Sequence, residues 1–158
     1  MALSDKKIIF EKNQIMFFNK KTDFEHVVKD LANELIKQGL VDPDYPKQVI
    51  LREKKFPTGL PTKSVGVSIP HTDAKWTRHN AIAIGILKHP IKQIVMGSKD
   101  TEVSVEIVFL LALDQSNKQL NILAKLMSVF QNPANLIEIK NGSQIEIKKL
   151  VERAILEE

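Results

Sequence analysis

Apolar positions recur along this chain with two periods, and their alternation outlines the elements. Residues 8 to 18 carry Ile8, Ile9 and Phe10, then Ile15, Phe17 and Phe18, which suits one or two short strands. Thr22-Asp-Phe-Glu25 reads as a capping box with Thr22 at the N-cap. Beyond it Phe24, Val27, Val28, Leu31 and Leu35 fall at helical spacing until Gly39 closes the helix. Asp44 and Pro46 open a second helix running to about Lys55, with Val49 and Ile50 toward the core. Pro57-Thr-Gly-Leu-Pro61 has the chemistry of a turn-rich loop.

Val65, Val67 and Ile69 then alternate as a strand, which Pro70 stops because it has no N–H for a ladder. Asp73 to His79 connect it to a strand from Asn80 to Leu87, and residues 91 to 96 suit another short one. Val103 to Leu113 is apolar enough to be a central strand. Ser116-Asn-Lys-Gln119 is a second capping box, opening a helix that carries Leu120, Leu123, Ala124, Met127 and Phe130. Pro133 starts a short helix ending near Asn141-Gly142. Ser143 to Leu156 form a last amphipathic helix, with Ile147, Leu150, Val151 and Ile155 on one side. The predicted fold class is α/β. A single domain over residues 1–158 has a mixed central sheet flanked by helices on its faces.

Composition narrows the function. The 158 residues are 43% hydrophobic and 27% charged, as in an ordinary soluble globular protein. No cysteine is present, which excludes disulfides, thiolate metal sites and a cysteine nucleophile, and suits a reducing cytoplasm. A net charge of +4 raises nucleic acid and acidic proteins as partners. The lysines are spread among acidic residues, no basic block or zinc-finger spacing occurs, and aromatics are only 6%, so nucleic acid is disfavoured. The N-terminus lacks the apolar core of a signal peptide, and the runs Ala81–Leu87 and Val105–Leu113 are too short to span a membrane.

Four histidines remain as candidates for chemistry. His26 falls on the polar side of the first helix, and His89 precedes Pro90; both read as surface residues. His79 reads the same way, or else lines the same mouth as His71. No pair has metal-ligand spacing, so no metal or other cofactor is expected. His71 differs in sitting where a strand becomes a loop. There a side chain faces solvent and is still held rigidly.

Upstream, Arg52 near the end of the second helix offers a guanidinium able to grip a phosphoryl group bidentately. Thr58 and Thr62 offer hydroxyl donors, and Gly59 allows close approach of the backbone. The amides of Thr72 and Asp73 suit the same place. A histidine phosphoryl carrier needs a neutral imidazole nitrogen as nucleophile, donors for the phosphoryl oxygens, and exposure. The sequence meets these needs.

The stretch Arg52-Glu-Lys-Lys-Phe-Pro-Thr-Gly-Leu60, followed by Val65-Gly-Val-Ser-Ile-Pro-His71, resembles the enzyme IIA proteins of the bacterial sugar phosphotransferase system. The type is that of fructose and mannitol, and the Phe-Pro-Thr-Gly-Leu portion is most similar to the galactitol-specific branch. The resemblance covers about residues 8 to 155. It implies a cytoplasmic IIA component in which His71 accepts a phosphoryl group through Nε2 from the histidine-containing phosphocarrier protein. His71 then passes the group to a IIB component, linked to a membrane IIC, during uptake of galactitol or a related polyol. It implies that Arg52 stabilises the phosphohistidine.

In the mannitol and fructose branches a second histidine stands at the start of the helix after the long apolar strand. Here that place holds Asp114 to Gln119, with Lys118 or Gln119 nearest, and no histidine. Lys118 at a helix N-terminus is either a donor to a phosphoryl oxygen or a solvated lysine. The alternative function is a nitrogen-type regulatory IIA protein that binds targets according to the phosphorylation of His71. Trp76, Phe56 and Leu60 are read as an apolar rim for partners, with core packing the other reading for Trp76.

Overall fold

The coordinates are those of a computed structural model. It describes residues 8–114 and 117–156, leaving aside the side chains of 117–120 and 156. A five-stranded mixed sheet organises the chain, in the order β1-β4-β5-β3-β2. β1 (Ile15–Phe18) runs parallel to β4 (Ala81–Ile94), and β4 antiparallel to β5 (Glu102–Ala112). β5 is parallel to β3 (Gly66–Ser68), which pairs antiparallel with the short edge strand β2 (Gly59–Leu60). The run predicted as the central strand is therefore β5, enclosed between β4 and β3.

Helices cover both faces, and the alternation inside β4 and β5 divides the core in two. On one face α1 (Phe24–Lys37) and α2 (Tyr45–Lys55) bury Val27, Leu31, Leu35, Tyr45 and Val49 against Ala81, Ala83, Val108 and Leu110. On the other lie α3 (Asn117–Gln131), α4 (Pro133–Asn141) and α5 (Gln144–Val151). There Leu126, Phe130, Leu136 and Ile147 meet Ile82, Ile84, Ile107 and Phe109. Small residues of β4 face α1 and isoleucines face α3 to α5. A strand buried on both sides has no polar face, which is why these runs are continuously apolar.

Several expectations are corrected in detail. Asp23, not Thr22, caps α1, its carboxylate accepting from the His26 amide at 2.9 Å. An aspartate next to the predicted threonine takes the role because its carboxylate also complements the helix dipole. Gly39 closes α1 as predicted, with φ 73° and the paired bonds Gly39 N–H to Ile36 and Leu40 N–H to Leu35, both 2.9 Å. The loop Pro57–Pro61 contains β2. The Ser116 capping box falls outside the described residues. The last helix changes from α to π geometry over Glu152–Leu156.

The two strands predicted at 80–87 and 91–96 are one strand, β4, interrupted rather than ended. Its pairing with β5 shifts register between Ile86 and Ile91, around Pro90. Proline removes a ladder donor, and the strand bends there. Lys140 of α4 donates to the Leu87 carbonyl beside this break and pairs with Glu106 at 3.0 Å. The bent end of β4 reaches β2, where the Met96 amide donates to the Gly59 carbonyl at 2.8 Å. Among the described residues no helix is long and apolar enough to cross a membrane.

Candidate functional site

β3 ends at Ser68, and Ile69-Pro70-His71 leaves the sheet edge tied on two sides. The Ile69 amide donates to the Thr58 carbonyl at 3.4 Å, and the Leu111 amide of β5 donates to the Pro70 carbonyl at 3.0 Å. The Leu111 carbonyl in turn accepts the hydroxyl of fully buried Tyr45 at 2.5 Å. One residue of the central strand thus links the start of α2 to the residue before His71.

His71 is half-buried. Its Nδ1 lies 2.8 Å from the Ile69 carbonyl oxygen, which can only accept, so Nδ1 carries the proton. The neutral ring then presents the Nε2 lone pair. Burial holds the imidazole pKa below the usual histidine value, and the Arg52 charge adds to this. The Ile69 hydrogen bond and the Asp73 carboxylate oppose it. The net effect favours the neutral imidazole.

Arg52, seven residues along α2 from Tyr45, brings its guanidinium to the same place. Nη1 donates to Oδ1 of Asp73 at 3.4 Å, and the group stacks over the Phe56 ring at 5.1 Å from the centroid. His71, Arg52 and Asp73 are thereby assembled from two segments. Among the described residues nothing accepts from the amides of Thr72 and Asp73, the two residues that follow His71.

The threonines are employed differently from the sequence reading. Thr58 is 5% exposed, and its hydroxyl donates to Glu53 Oε1 at 2.8 Å while its amide donates to Oε2 at 2.8 Å. The Thr62 hydroxyl donates to the Val65 carbonyl at 2.7 Å and stabilises the turn into β3. Neither has a proton left for a phosphoryl oxygen. Gly59 allows a close approach, but to protein: a Cβ there would lie 2.6 Å from the Ile94 carbonyl oxygen. The Lys118 side chain lies outside the described residues. Leu60 packs toward the α3 side of the core and does not form a rim, whereas Phe56 is 59% exposed. Trp76 is half-buried against the α1–α2 cluster. His26 and His79 are exposed, and His89 lies half-buried within the irregular part of β4.

Three residues that shape this place escaped the sequence reading. Glu53 gathers Thr58 and Gln93, and its only sequence signal is an acid just before a helix stop followed by Pro-Thr. Tyr45 carries no motif. Asn80, 2% exposed, accepts the Asp114 amide at 2.7 Å and so ties the end of β5 to the start of β4.

The family model for the phosphoenolpyruvate-dependent sugar phosphotransferase system, EIIA 2, matches residues 8–154. The chain belongs to this EIIA 2 family. A relative is the galactitol-specific EIIA component of Escherichia coli K12, 24% identical over 151 residues, covering 94% of this chain and 96% of that one. Another is the transcriptional regulator ManR of Bacillus subtilis, 28% identical over 123 residues, which cover 76% of this chain and only 17% of that protein. The solved complex of enzyme IIA mannitol with phosphorylated enzyme IIB mannitol from Escherichia coli shares the fold. Its TM-score is 0.72 at 17% identity, covering 92% of this chain and 99% of that one. The EIIA 2 chain described here therefore has the mannitol-type IIA architecture and is a phosphotransfer component of a sugar phosphotransferase system.

Proposed function

We propose that this IIA protein carries a phosphoryl group on His71 Nε2, between the histidine-containing phosphocarrier and a IIB component, in the uptake of galactitol or a related polyol. The observation that carries the reading is the His71 Nδ1–Ile69 carbonyl contact, which fixes the tautomer and leaves Nε2 as nucleophile. In the first transfer the Nε2 lone pair bonds phosphorus as the donor's P–N bond breaks, and the donor ring recovers its electron pair. The Nδ1 proton stays on its carbonyl, so no proton need leave the ring. Arg52 and the open amides of Thr72 and Asp73 supply donors for the three phosphoryl oxygens. The second transfer reverses these events toward a nucleophilic side chain of the IIB component.

Galactitol is favoured by the likeness to galactitol-specific EIIA components over nearly the whole chain. The protein works in the cytoplasm, beside a membrane IIC. Phosphoenolpyruvate, enzyme I and the phosphocarrier should label it with one acid-labile phosphoryl group. Label on His71→Ala would overturn the site assignment.

The likeness to ManR supports a second reading, in which the same phosphohistidine governs the binding of target proteins, as in the nitrogen-type regulators. Adjacent genes for a IIB and a IIC favour transport. Phosphorylation-dependent capture of a target without them favours regulation.

A further inference from the structure

The carbonyl that fixes the His71 tautomer belongs to a peptide with no donor of its own. Pro70 lacks an N–H, so no ladder bond from this peptide holds the Ile69 carbonyl, and its direction is set by its neighbours. On one side the Ile69 amide donates to the Thr58 carbonyl at 3.4 Å, and on the other the Pro70 carbonyl accepts from Leu111 at 3.0 Å. Leu111 lies inside β5, paired with Ile82 of β4. Thr58 only precedes β2, an edge strand of two residues, and its bond to Ile69 is the longer of the two. A pairing so short holds little by itself.

What holds Thr58 is Glu53, near the end of α2. The Thr58 amide and hydroxyl donate to its two carboxylate oxygens at 2.8 Å each, and the Gln93 side chain of β4 donates to the same group at 3.1 Å. Three segments therefore meet on one half-buried carboxylate, and among the described residues no cation lies within ion-pair distance of it. A carboxylate taken out of water without a counter-charge is a costly fastening for a turn alone. Its neighbour Arg52 reaches Asp73 beyond the histidine, whereas Glu53 reaches the segment that aims the Ile69 carbonyl before it. We propose that Glu53 is a positioning residue for His71. Through Thr58 it sets the Ile69 carbonyl, keeps the proton on Nδ1 and so leaves Nε2 free. It makes no hydrogen bond to the imidazole and acts only through that chain. Its effect on transfer rests on the phosphocarrier reading above, whereas its hold on the tautomer does not.

Nitrogen NMR of the imidazole in the intact protein reads the tautomer, and phosphoryl transfer from the phosphorylated phosphocarrier of the same cell reads the rate. At neutral pH wild-type His71 should show Nδ1–H alone. Glu53→Ala should give a mixture of both tautomers and lower the saturated transfer rate about tenfold, with KM little changed, since the reacting atom is displaced and not the docking surface. Glu53→Gln should restore both readings: its oxygen accepts from the Thr58 amide and Gln93, while its amide donates to the Thr58 hydroxyl. Thr58→Val, which gives up only a hydroxyl, should move both readings the same way by less, and serves if Glu53→Ala does not fold. Ile139→Val, a loss of core packing on the other face of the sheet, should lower stability and leave both readings as in wild type.

Glu53→Ala and Thr58→Val with the wild-type tautomer and rate would reduce Glu53 to a fastening of the fold and overturn the proposal. So would an Ile139→Val protein as slow as Glu53→Ala, or a Glu53→Gln protein as impaired as the alanine variant. A wild-type ring that carries its proton on Nε2 would overturn it outright. A wild type that accepts no phosphoryl group would overturn the phosphocarrier reading alone, and the tautomer in the variants would still decide the role of Glu53.

Discussion

Arg52 Nη1 lies 3.4 Å from Oδ1 of Asp73, so the cation nearest His71 is held by a carboxylate two residues beyond that histidine. Both side chains keep solvent access, 37% and 66%, so the pair adds little to stability. Its consequence is for the phosphorylated state. A phosphoryl dianion on Nε2 competes with Asp73 for the guanidinium and is repelled by the carboxylate. On the proposed phosphocarrier reading, Asp73 would keep the phosphohistidine reactive, and Arg52 would keep it attainable.

Arg52→Ala should retain the fold and slow transfer in both directions by about tenfold, the lower end of what one hydrogen bond to a charged group contributes. An unchanged rate would remove Arg52 from the site. Asp73→Asn should shift the equilibrium with the phosphocarrier several-fold toward phosphorylated protein, read as the labelled fraction at fixed donor ratio. A lower fraction would contradict the repulsion.

The lowered pKa of His71 sets a pH dependence of definite sign. Its folded value lies below the ordinary 6.5, chiefly through burial. The unfolded state therefore binds more protons between the two values, and stability falls as pH drops through that window. The contribution is fully present above pH 6.5. The nucleophile is likewise neutral there, so acceptance of phosphoryl should stay level through neutrality and decline only below the usual histidine range. Imidazole titration by NMR checks this. Arg52→Ala should move the midpoint upward, because that cation helps depress it.

Element order and the placing of helices on the faces of a mixed sheet could be read from the chain because they rest on periodicity, and burial enforces periodicity. The stretch from Asn80 to Leu87 was legible as a strand; that its alanines meet one helical layer and its isoleucines the other is visible only in the fold. His71 and Arg52 were legible for another reason: a proline-ended strand and a helix end are local events. What stayed hidden depends on partners distant in sequence. The Thr58 hydroxyl looks free until Glu53 is placed against it, and Tyr45 gives no sign that Leu111, 66 residues on, will accept its proton. The bend in β4 likewise needs Lys140 from another helix to cover it.

Tyr45 is the buried post on which this geometry hangs. Its ring is fully enclosed, burial drives its phenol pKa far above the usual value, and its proton goes to the Leu111 carbonyl. Tyr45→Phe keeps the ring and removes one hydrogen bond, at a cost of about 1–2 kcal/mol. For a chain of this length, that lowers the unfolding midpoint by roughly 2–8 °C. Calorimetry decides it, and a midpoint equal to wild type would show that the hydroxyl is dispensable.

Glu53 offers a sharper test, because two substitutions separate its shape from its charge. Burial raises its carboxyl pKa, while the hydrogen bonds from Thr58 and Gln93 hold it back. With the net shift upward, the folded state binds more protons than the unfolded one between the ordinary glutamate value of 4.5 and the raised value. Wild-type stability therefore rises as pH falls through that window. Glu53→Gln keeps an acceptor for the Thr58 amide and removes the buried charge. Its stability relative to wild type should be most favourable at neutral pH and least favourable near pH 4.5. Glu53→Ala frees Thr58 and Gln93 together, and should cost about 1–3 kcal/mol at neutral pH. It should also loosen β2 against α2, giving faster amide exchange at Thr58 and Gly59. Urea unfolding of the three proteins at pH 5 and pH 7.5 measures both effects. If Glu53→Gln tracks wild type at both pH values, the carboxylate is not held in the strained ionised form that its burial requires.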